Sequence, residues 1–351
     1  MLKETRLLFF YKEAFKKCIV EENNLTRATK TLDGFRNKNV LIVGDVMIDC
    51  YWRGSVKRIS PEAPVPIFDL MAEENRLGGA ANVALNVKAL KANPILVSII
   101  GNDAVADTFE NLLHYAEIDE QYILRDSTRP TTCKTRIVAG SQQMLRIDAE
   151  MTTDLESEME TRIITTIQTV LAEKHIDVVI LQDYNKGVLT PRVIKKTIAT
   201  AREKNIQVTV DPKNKNFWSY KNVTLFKPNL KEISDALQHK VNATLDELDA
   251  ASLILKEKLD AEQILITLSE KGLYFNDGTG GKIYPITPRN ISDVSGAGDT
   301  VISVVALCIA AKMNDSTLAQ LANLAGGIVC EYAGVVPINF EQLLNEFTKV
   351  I

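Results

Sequence analysis

The segment Asp293–Thr300 (DVSGAGDT) combines small residues with carboxylates where a buried helix is expected to begin. Gly296, Ala297 and Gly298 carry almost no side chain, so their backbone N–H groups can approach a ligand closely. At a helix start, these N–H groups and the positive end of the helix dipole favour an anion. Asp299 would repel a phosphate, but it could serve as a general base that takes a proton from an attacking hydroxyl.

Two familiar phosphate-binding loops do not fit this segment. In the dinucleotide pattern G-x-G-x-x-G the third glycine would fall at Val301, and the segment lies late in the chain rather than after a first strand. No glycine precedes Lys-Ser or Lys-Thr at the spacing of a Walker loop. The alternative that stays open is a glycine-rich helix start that serves only tight packing.

Composition excludes several classes of protein. The chain has 351 residues, of which 46% are hydrophobic, and its net charge of −4 argues against a nucleic-acid partner. Five scattered cysteines and three histidines offer little for a disulfide framework, a zinc site or a Ser-His-Asp triad. Residues 1–20 do not resemble a signal peptide, and the apolar run Val301–Ala311 is too short to span a bilayer. We therefore expect a cytoplasmic protein without a membrane partner.

The elements that must position the candidate site alternate along the chain. Asn39–Gly44 is an apolar run typical of a buried parallel strand, and from residue 154 onward helical and strand patterns alternate. This alternation of helical and strand patterns predicts an α/β fold with a mostly parallel sheet and helices on both faces. Each strand ends in polar residues, which places one cleft along the carboxyl edge of the sheet. Residues 1–38 are predicted to form a helical extension before the main domain, 39–351.

Two segments interrupt this alternation with patterns of paired strands, at about residues 50–70 and 131–149. We expect them to form a small β-sheet lid beside the cleft. Exposed strand edges need a cover or a partner. The lid therefore also predicts a homodimer in which two lids cover each other.

Polar residues near the first strands are candidates for holding an acceptor. Asp45 and Asp49 follow the strand that ends at Gly44, where α/β sheets bind ligands; loop capping is the alternative reading for both. Gly78 and Gly79 allow a close backbone approach at a predicted helix start. Asn82, in the same predicted helix start, could hydrogen-bond a hydroxyl.

Four basic residues lie on or beside the predicted lid and cleft: Lys134, Arg136, Arg146 and Lys186. If they face the cleft, they could bind a phosphate carried by the acceptor. If they face solvent, they are surface charges of little energetic weight. We expect Arg136 and Lys186 to be phosphate ligands, and Lys134 and Arg146 to be solvated or to form internal ion pairs.

Three segments occur in order and together resemble the signatures of the ribokinase-like (PfkB) carbohydrate kinases: GGAAN at 78–82, NLKE at 229–232 and DVSGAGD at 293–299. The resemblance covers about residue 39 to the end. Within that family, four segments are similar to the heptose-7-phosphate kinases, which act in ADP-heptose synthesis for lipopolysaccharide: 44–49, 58–66, 129–136 and 293–299.

The resemblance implies phosphorylation, with ATP and Mg²⁺, of the anomeric hydroxyl of a sugar phosphate. The acceptor it implies most narrowly is D-glycero-β-D-manno-heptose 7-phosphate, converted to the 1,7-bisphosphate. Asp299 would be the base, and the amides of Gly296, Ala297 and Gly298 would hold the developing charge on the phosphoryl group. Asp49 and Asn82 would hold the sugar hydroxyls, with Gly78 and Gly79 close to the ring.

The same resemblance assigns a nucleotide site and a cation site. Asn229 and Glu232, three residues apart and therefore expected on one helix face, would orient the magnesium shell. The other nucleotide contacts that it implies are Lys213 on the phosphates, Thr267, Ser269 and Gly272 along the nucleotide, and Asn323 at the adenosine end. Asp293 and Ser295 match the place of a monovalent cation such as K⁺ in related kinases.

Two alternatives remain open from the sequence. The first is another PfkB kinase, acting on a different sugar, sugar phosphate or nucleoside. The second is a sugar-binding regulator on the same fold without turnover. The intact small-residue turn with Asp299 favours a kinase, and the basic residues of the lid favour a phosphorylated acceptor over a nucleoside.

Overall fold

The computed structural model describes residues 22–351. The first helix in this range, α1, spans residues 22–33, and Ala28, Leu32 and Phe35 in or just after it are fully buried in the core. The remainder of the predicted helical extension, residues 1–21, lies outside the described range. The part that is described therefore packs on the body of the protein.

The strands in chain order are β1 (Asn39–Gly44), β2 (Val46–Ile59), β3 (Pro66–Gly79), β4 (Asn93–Ile100), β5 (Ile123–Arg125), β6 (Cys133–Ala139), β7 (Gln142–Ala149), β8 (Val178–Gln182), β9 (Gln207–Asp211), β10 (Leu225–Phe226), β11 (Gln263–Thr267), β12 (Leu273–Asn276) and β13 (Gly281–Tyr284). The further helices are α2 (Ala80–Ala89), α3 (Ala104–Tyr115), α4 (Ser157–Glu173), α5 (Pro191–Glu203), α6 (Leu230–Leu237), α7 (Leu245–Leu259), α8 (Ala297–Ala310), α9 (Asp315–Val329) and α10 (Phe340–Thr348). Short 3-10 helices cover Asn214–Ser219 and Ser269–Lys271.

The main sheet of the described chain has the order β13-β12-β11-β10-β9-β8-β1-β4-β5. Its pairs are parallel except for β11–β12 and β12–β13. Strand β1, in the interior of the sheet, is apolar from Val40 to Val43 because both of its faces are covered: Val40 and Ile42 belong to one core cluster, Leu41 and Val43 to the other. The predicted α/β class, with a mostly parallel sheet between helices, is confirmed.

A second, smaller sheet of the described chain has the order β3-β2-β6-β7. Its strands are longer than the sequence patterns indicated, since β2 and β3 pair antiparallel over almost their whole length, Val46–Ile59 with Pro66–Gly79. Gly78 and Gly79 end β3, and Gly79 (φ +60°) is also the N-cap residue of α2, so a helix begins at this segment as expected. A side chain at Gly79 would lie 2.4 Å from the carbonyl oxygen of Asp45, so this turn requires glycine.

The strand ends deliver polar residues to one edge of the main sheet. Gln182 ends β8, Asp211 ends β9, Lys227 follows β10 and Thr267 ends β11. This is the carboxyl edge, where open α/β sheets bind ligands. Across residues 22–351, none of the helices is both long and apolar enough to cross a bilayer.

Candidate active site

The site is organised around the start of α8. Gly296 is the N-cap residue of this helix, in a left-handed conformation (φ +80°), and a side chain there would approach the Asn82 amide nitrogen to 3.0 Å. Ala297 and Gly298 then form the first turn, in which the Ala297 N–H donates to the carbonyl oxygen of Val294 at 3.3 Å. Asp299, in the same turn, is only 3% exposed. The positive end of the α8 dipole and a buried carboxylate thus lie side by side.

Three side chains donate hydrogen bonds to the Asp299 carboxylate. Oδ2 accepts from Asn82 Nδ2 at 2.8 Å. Oδ1 accepts from Tyr184 Oη at 2.6 Å and from Gln182 Nε2 at 3.1 Å. Burial raises the pKa of Asp299 to about 7, although the bonds from Asn82 and Tyr184 act in the opposite direction. A pKa near neutrality suits a general base that works at neutral pH.

A buried ion pair lies beside the same turn. Lys227 Nζ is 2.9 Å from Asp211 Oδ2, and both residues are at least 95% buried. Gln182 connects this pair to the base, because its Nε2 also donates to Asp211 Oδ2 at 3.2 Å. A side chain at Gly298 would lie 3.6 Å from Lys227 Nζ, so the ammonium stands next to the anion-binding turn. It adds a positive charge where a phosphoryl group would develop negative charge.

Sequence reasoning did not select Gln182, Tyr184, Asp211 or Lys227 as site residues. Each of them ends or follows a strand of the parallel sheet, and that position was the available signal. Strand ends alone indicate the edge of the sheet that carries the cleft, but not which side chains meet Asp299 there.

A groove of about 1100 Å³ extends from Asp299 across the sheet edge. Such a volume is at the upper end for a small-molecule site. The predicted residues that line it are Lys213, Asn229, Thr267, Ser269, Gly272, Gly296, Ala297, Gly298, Asp299 and Asn323. The structure therefore brings the predicted nucleotide residues and the predicted base into one groove, with Glu232 just outside its lining.

The N-x-x-E pair has a structural role that the shared-face interpretation missed. Asn229 is the N-cap of α6 and Glu232 its third residue, and the two form a capping box with reciprocal bonds of 2.8 Å. The Glu232 carboxylate also accepts from Lys213 Nζ. Asn323 donates to the carbonyl oxygens of Pro285 and Tyr284, at 2.8 and 3.3 Å, while it lines the groove.

The described residues do not by themselves form a metal site. Across residues 22–351, no cluster of three or more His, Cys, Asp or Glu side chains could hold a metal ion. At the predicted cation position, Asp293 accepts backbone N–H bonds from Ser295 and Gly334, both at 2.9 Å. Mg²⁺ usually binds through one or two carboxylates and substrate phosphates, so a protein-only cage is not what a nucleotide site requires.

The predicted acceptor residues converge where β2 and β3 join the body. Asp49 is buried and pairs with Arg136 at 2.5 Å. The Arg136 guanidinium also lies over the Tyr51 ring, 5.2 Å from its centroid. A side chain at Gly78 would come within 2.2 Å of Asp49 Oδ2, so glycine is needed there. Asn82, expected on a sugar hydroxyl, donates from Nδ2 to Asp299 Oδ2.

The other basic residues form a chain of ion pairs between the small sheet and the body. Lys186 pairs with Glu150 at 2.7 Å, and Glu150 also pairs with Lys134 at 2.7 Å. Asp148 accepts from both Lys134 and Arg146. The internal pairs expected for Lys134 and Arg146 are present. Lys186, expected on a phosphate, is paired as well.

Asp45 holds a loop rather than facing the groove. Its carboxylate accepts backbone N–H bonds from Tyr184, Lys186 and Val188, at 2.8 to 3.0 Å. Burial raises the pKa of Asp45, and these three bonds oppose that shift. The loop-capping interpretation describes Asp45, and through this loop it places Tyr184 against Asp299.

A small-residue helix start, a buried carboxylate beside it and an adjoining groove at the carboxyl edge of an α/β sheet form an arrangement suited to phosphoryl transfer. Residues 37–341 match the model of the pfkB family carbohydrate kinases, and the chain belongs to this family. The protein is therefore a carbohydrate kinase, and the family and enzyme class expected from the motifs are confirmed.

The similar curated proteins are bifunctional. The chain is 39% identical over 307 residues to the bifunctional protein HldE of Methylobacillus flagellatus, which covers 88% of this chain and 62% of that protein. It is 38% identical to bifunctional protein HldE of Helicobacter pylori strain Shi470, covering 87% of this chain and 65% of that protein. The chain thus spans less than two thirds of the length of these relatives.

Solved structures share the fold at low identity. Phosphofructokinase-2 from Escherichia coli, in complex with potassium, aligns with a TM-score of 0.74 at 15% identity, covering 90% of this chain and 99% of that one. Arabidopsis thaliana ribokinase, complexed with ribose and ATP, aligns with a TM-score of 0.68 at 16% identity and the same coverage. These matches establish the ribokinase-like fold.

Proposed function

We propose that this chain transfers the γ-phosphoryl group of ATP to the anomeric hydroxyl of D-glycero-β-D-manno-heptose 7-phosphate. The product would be the 1,7-bisphosphate, used in ADP-heptose synthesis for lipopolysaccharide. The observation that carries the proposal is the position of Asp299, buried beside the amides of Ala297 and Gly298 at one end of the groove. That arrangement suits in-line transfer from a groove-bound nucleotide to a hydroxyl held at the base.

In this mechanism the oxygen of the acceptor hydroxyl bonds to the γ-phosphorus of ATP and its proton passes to the Asp299 carboxylate, while the bond from the γ-phosphorus to the β–γ bridging oxygen breaks and ADP leaves. The amides at the start of α8 and the Lys227 ammonium stabilise the charge on the transferred group. ATP would occupy the groove with its phosphates near Lys213 and its adenosine near Asn323. Mg²⁺ would enter bound to the nucleotide phosphates, and K⁺ near Asp293 and Ser295 remains a proposal.

The acceptor assignment is supported by two independent features. Segments 44–49, 58–66 and 129–136 resemble heptose-7-phosphate kinases, and the HldE proteins align over most of this chain. The second feature is the basic set on the acceptor side. Arg136 and Lys186 are proposed as ligands of the acceptor phosphate. The phosphate would compete with Asp49 for Arg136 and with Glu150 for Lys186.

The test is an assay of ATP turnover against a panel of acceptors. It includes heptose 7-phosphate, the unphosphorylated heptose, fructose 6-phosphate, ribose and adenosine. We expect kcat/KM to be highest for heptose 7-phosphate and much lower for the unphosphorylated sugar. Equal activity on both heptoses would reject the sugar-phosphate assignment, and a preference for another acceptor would identify a different kinase of the family. No turnover with any acceptor would favour a sugar-binding regulator.

We also propose that the small sheet is a lid through which two copies associate, in the cytoplasm where ATP is available. Its exposed apolar residues support a partner: Ile59, Leu70, Met71, Met144, Leu145 and Ile147. Sedimentation should show a dimer, and Met71→Lys with Leu145→Lys should shift it toward monomer. A monomer at tens of micromolar, roughly the range of a weak interface, would contradict the dimer.

A further inference from the structure

The two oxygens of the Asp299 carboxylate have unequal surroundings. Oδ1 accepts two hydrogen bonds, from Tyr184 and Gln182, whereas Oδ2 accepts one, from Asn82, among residues 22–351. An ionised carboxylate offers about four acceptor positions, two on each oxygen. Oδ1 is therefore fully used by the protein, and Oδ2 keeps one position for a further donor.

We infer that Tyr184 is a positioning residue for the transfer: by filling Oδ1 together with Gln182, it leaves Oδ2 as the oxygen that receives the acceptor proton. This inference rests on the proposed role of Asp299 as the base. Tyr184 acts through Asp299, and its hydrogen bond sets both the orientation and the proton affinity of the carboxylate.

The surroundings of Tyr184 fit this role better than simple packing. Its backbone N–H donates to Asp45, so the loop that carries the phenol is fixed to the end of β1. Its ring lines the groove, and Lys213 Nζ lies 5.6 Å from the ring centroid. Burial beside Asp299 raises the pKa of the phenol well above 10, so the hydroxyl remains a donor at neutral pH.

Other charges also face the base and must be constant in a test. Asp211 raises the pKa of Asp299, and Lys227 lowers it. The negative charge of Asp299 helps to raise the pKa of Lys213, which lines the groove. The negative charge of Asp49 helps to raise the pKa of the Tyr184 phenol. A substitution that removes only the Tyr184 hydroxyl leaves all four charges in place. Its effect on the titration of the base can therefore be assigned to the hydrogen bond.

Tyr184→Phe is the test, read as the pH dependence of kcat/KM with whichever acceptor turns over. In the parent enzyme the acidic limb should have its midpoint near the Asp299 pKa of about 7. Removing a charge-assisted bond should move the midpoint up by about one to two pH units. The rate should therefore fall about 10-fold or more below pH 7 and recover toward alkaline pH.

Tyr220→Phe is the matched control. The Tyr220 hydroxyl donates to Asp183 Oδ2, also at 2.6 Å, and is fully buried without contacting Asp299. This variant removes a buried tyrosine hydroxyl close to the site without removing a bond to Asp299. The acidic limb of its pH profile should therefore keep the midpoint of the parent enzyme.

If Tyr184→Phe fails to fold, Tyr184→3-fluorotyrosine replaces it. The more acidic phenol is a stronger hydrogen-bond donor, so the midpoint of the acidic limb should move down.

The outcomes separate this inference from the proposed function. If Asp299→Asn retains turnover with an unchanged acidic limb, the role of Asp299 as base fails, and the inference fails with it. If Asp299→Asn is inactive but Tyr184→Phe lowers the rate equally at every pH, the proposed function stands and Tyr184 is only structural. An unchanged midpoint with fluorotyrosine would overturn the inference in the same way.

Discussion

The groove and the proposed acceptor side of the small sheet deal with charge in different ways. The groove presents the backbone N–H of Gly298 at the start of α8, with Lys227 already paired with Asp211. The acceptor side presents Arg136 and Lys186, each paired with a carboxylate. Backbone dipoles need no counter-charge when they are desolvated, whereas a half-buried cation does.

This difference has a consequence for substrate selection. A nucleotide phosphate entering the groove would meet preorganised donors, whereas an acceptor phosphate would have to displace Asp49 or Glu150 from its partner. The acceptor side should therefore discriminate between substrates more strongly, since leaving a buried charge unpaired is strongly unfavourable in free energy. The predictions below test each side of this contrast.

The largest effect is expected at the proposed base. Asp299→Asn removes the base while it keeps the size of the side chain, so turnover should fall by roughly 10²- to 10⁴-fold. Binding of ATP, measured by calorimetry, should change little, because the proposed role of Asp299 is to take the proton of the acceptor hydroxyl rather than to bind the nucleotide. Near-normal kcat in a folded variant would remove Asp299 from the mechanism.

Urea denaturation of the same variant, compared with the parent across pH, shows whether it folds and whether Asp299 titrates in the folded protein. The Asp299 pKa of about 7 in the folded state lies above its ordinary value of 3.8, so its contribution to stability is full below pH 3.8 and is lost as pH rises through 7. Asparagine does not titrate. The free energy of unfolding of the parent should therefore fall relative to that of Asp299→Asn over this range, as measured by urea denaturation.

A smaller effect, tens-fold, is expected on the acceptor side. Arg136→Ala should reduce the preference for the phosphorylated over the unphosphorylated heptose by that amount, since one charge-assisted hydrogen bond of about 1.5–3 kcal/mol corresponds to roughly 10- to 150-fold. The ratio of the two kcat/KM values is the measurement, because the unpaired Asp49 affects both substrates.

Arg146→Ala is the matched arginine control, since Arg146 pairs with Asp148 and its side chain is 50% exposed. It should leave the ratio unchanged. An equal loss in both variants would show a general electrostatic effect, and no loss in Arg136→Ala would assign Arg136 to holding Asp49.

The smallest effect is expected at the capping box. Asn229→Ala should lower the free energy of unfolding by about 1 kcal/mol, as for a lost N-cap, and should also raise KM for ATP because Asn229 lines the groove. Asn339→Ala is the control, since Asn339 caps α10 with an equivalent bond to Gln342. It should show the stability loss alone. Equal KM values in both variants would remove Asn229 from the nucleotide site.

How far the sequence predicts this site depends on how local each feature is. The start of α8 and the strand β1 follow from a few adjacent residues, so their patterns were sufficient. N-x-x-E also encodes a local feature, the capping box at the start of α6. By contrast, Gln182 reaches Asp299 across 117 residues of sequence and Arg136 reaches Asp49 across 87. Such partners are set by strand order, which no single segment encodes.

The helix α1 has a practical consequence for anyone who trims this chain. The family match begins at residue 37, yet Leu32 and Phe35 are fully buried before that point. Burying such side chains is worth about 1.5–3 kcal/mol each, against a typical total stability of about 5–15 kcal/mol. A fragment that begins at residue 37, where the family match begins, would expose the apolar surface that Leu32 and Phe35 cover. It should be prone to aggregation and give a low yield of native enzyme, even though it keeps every motif.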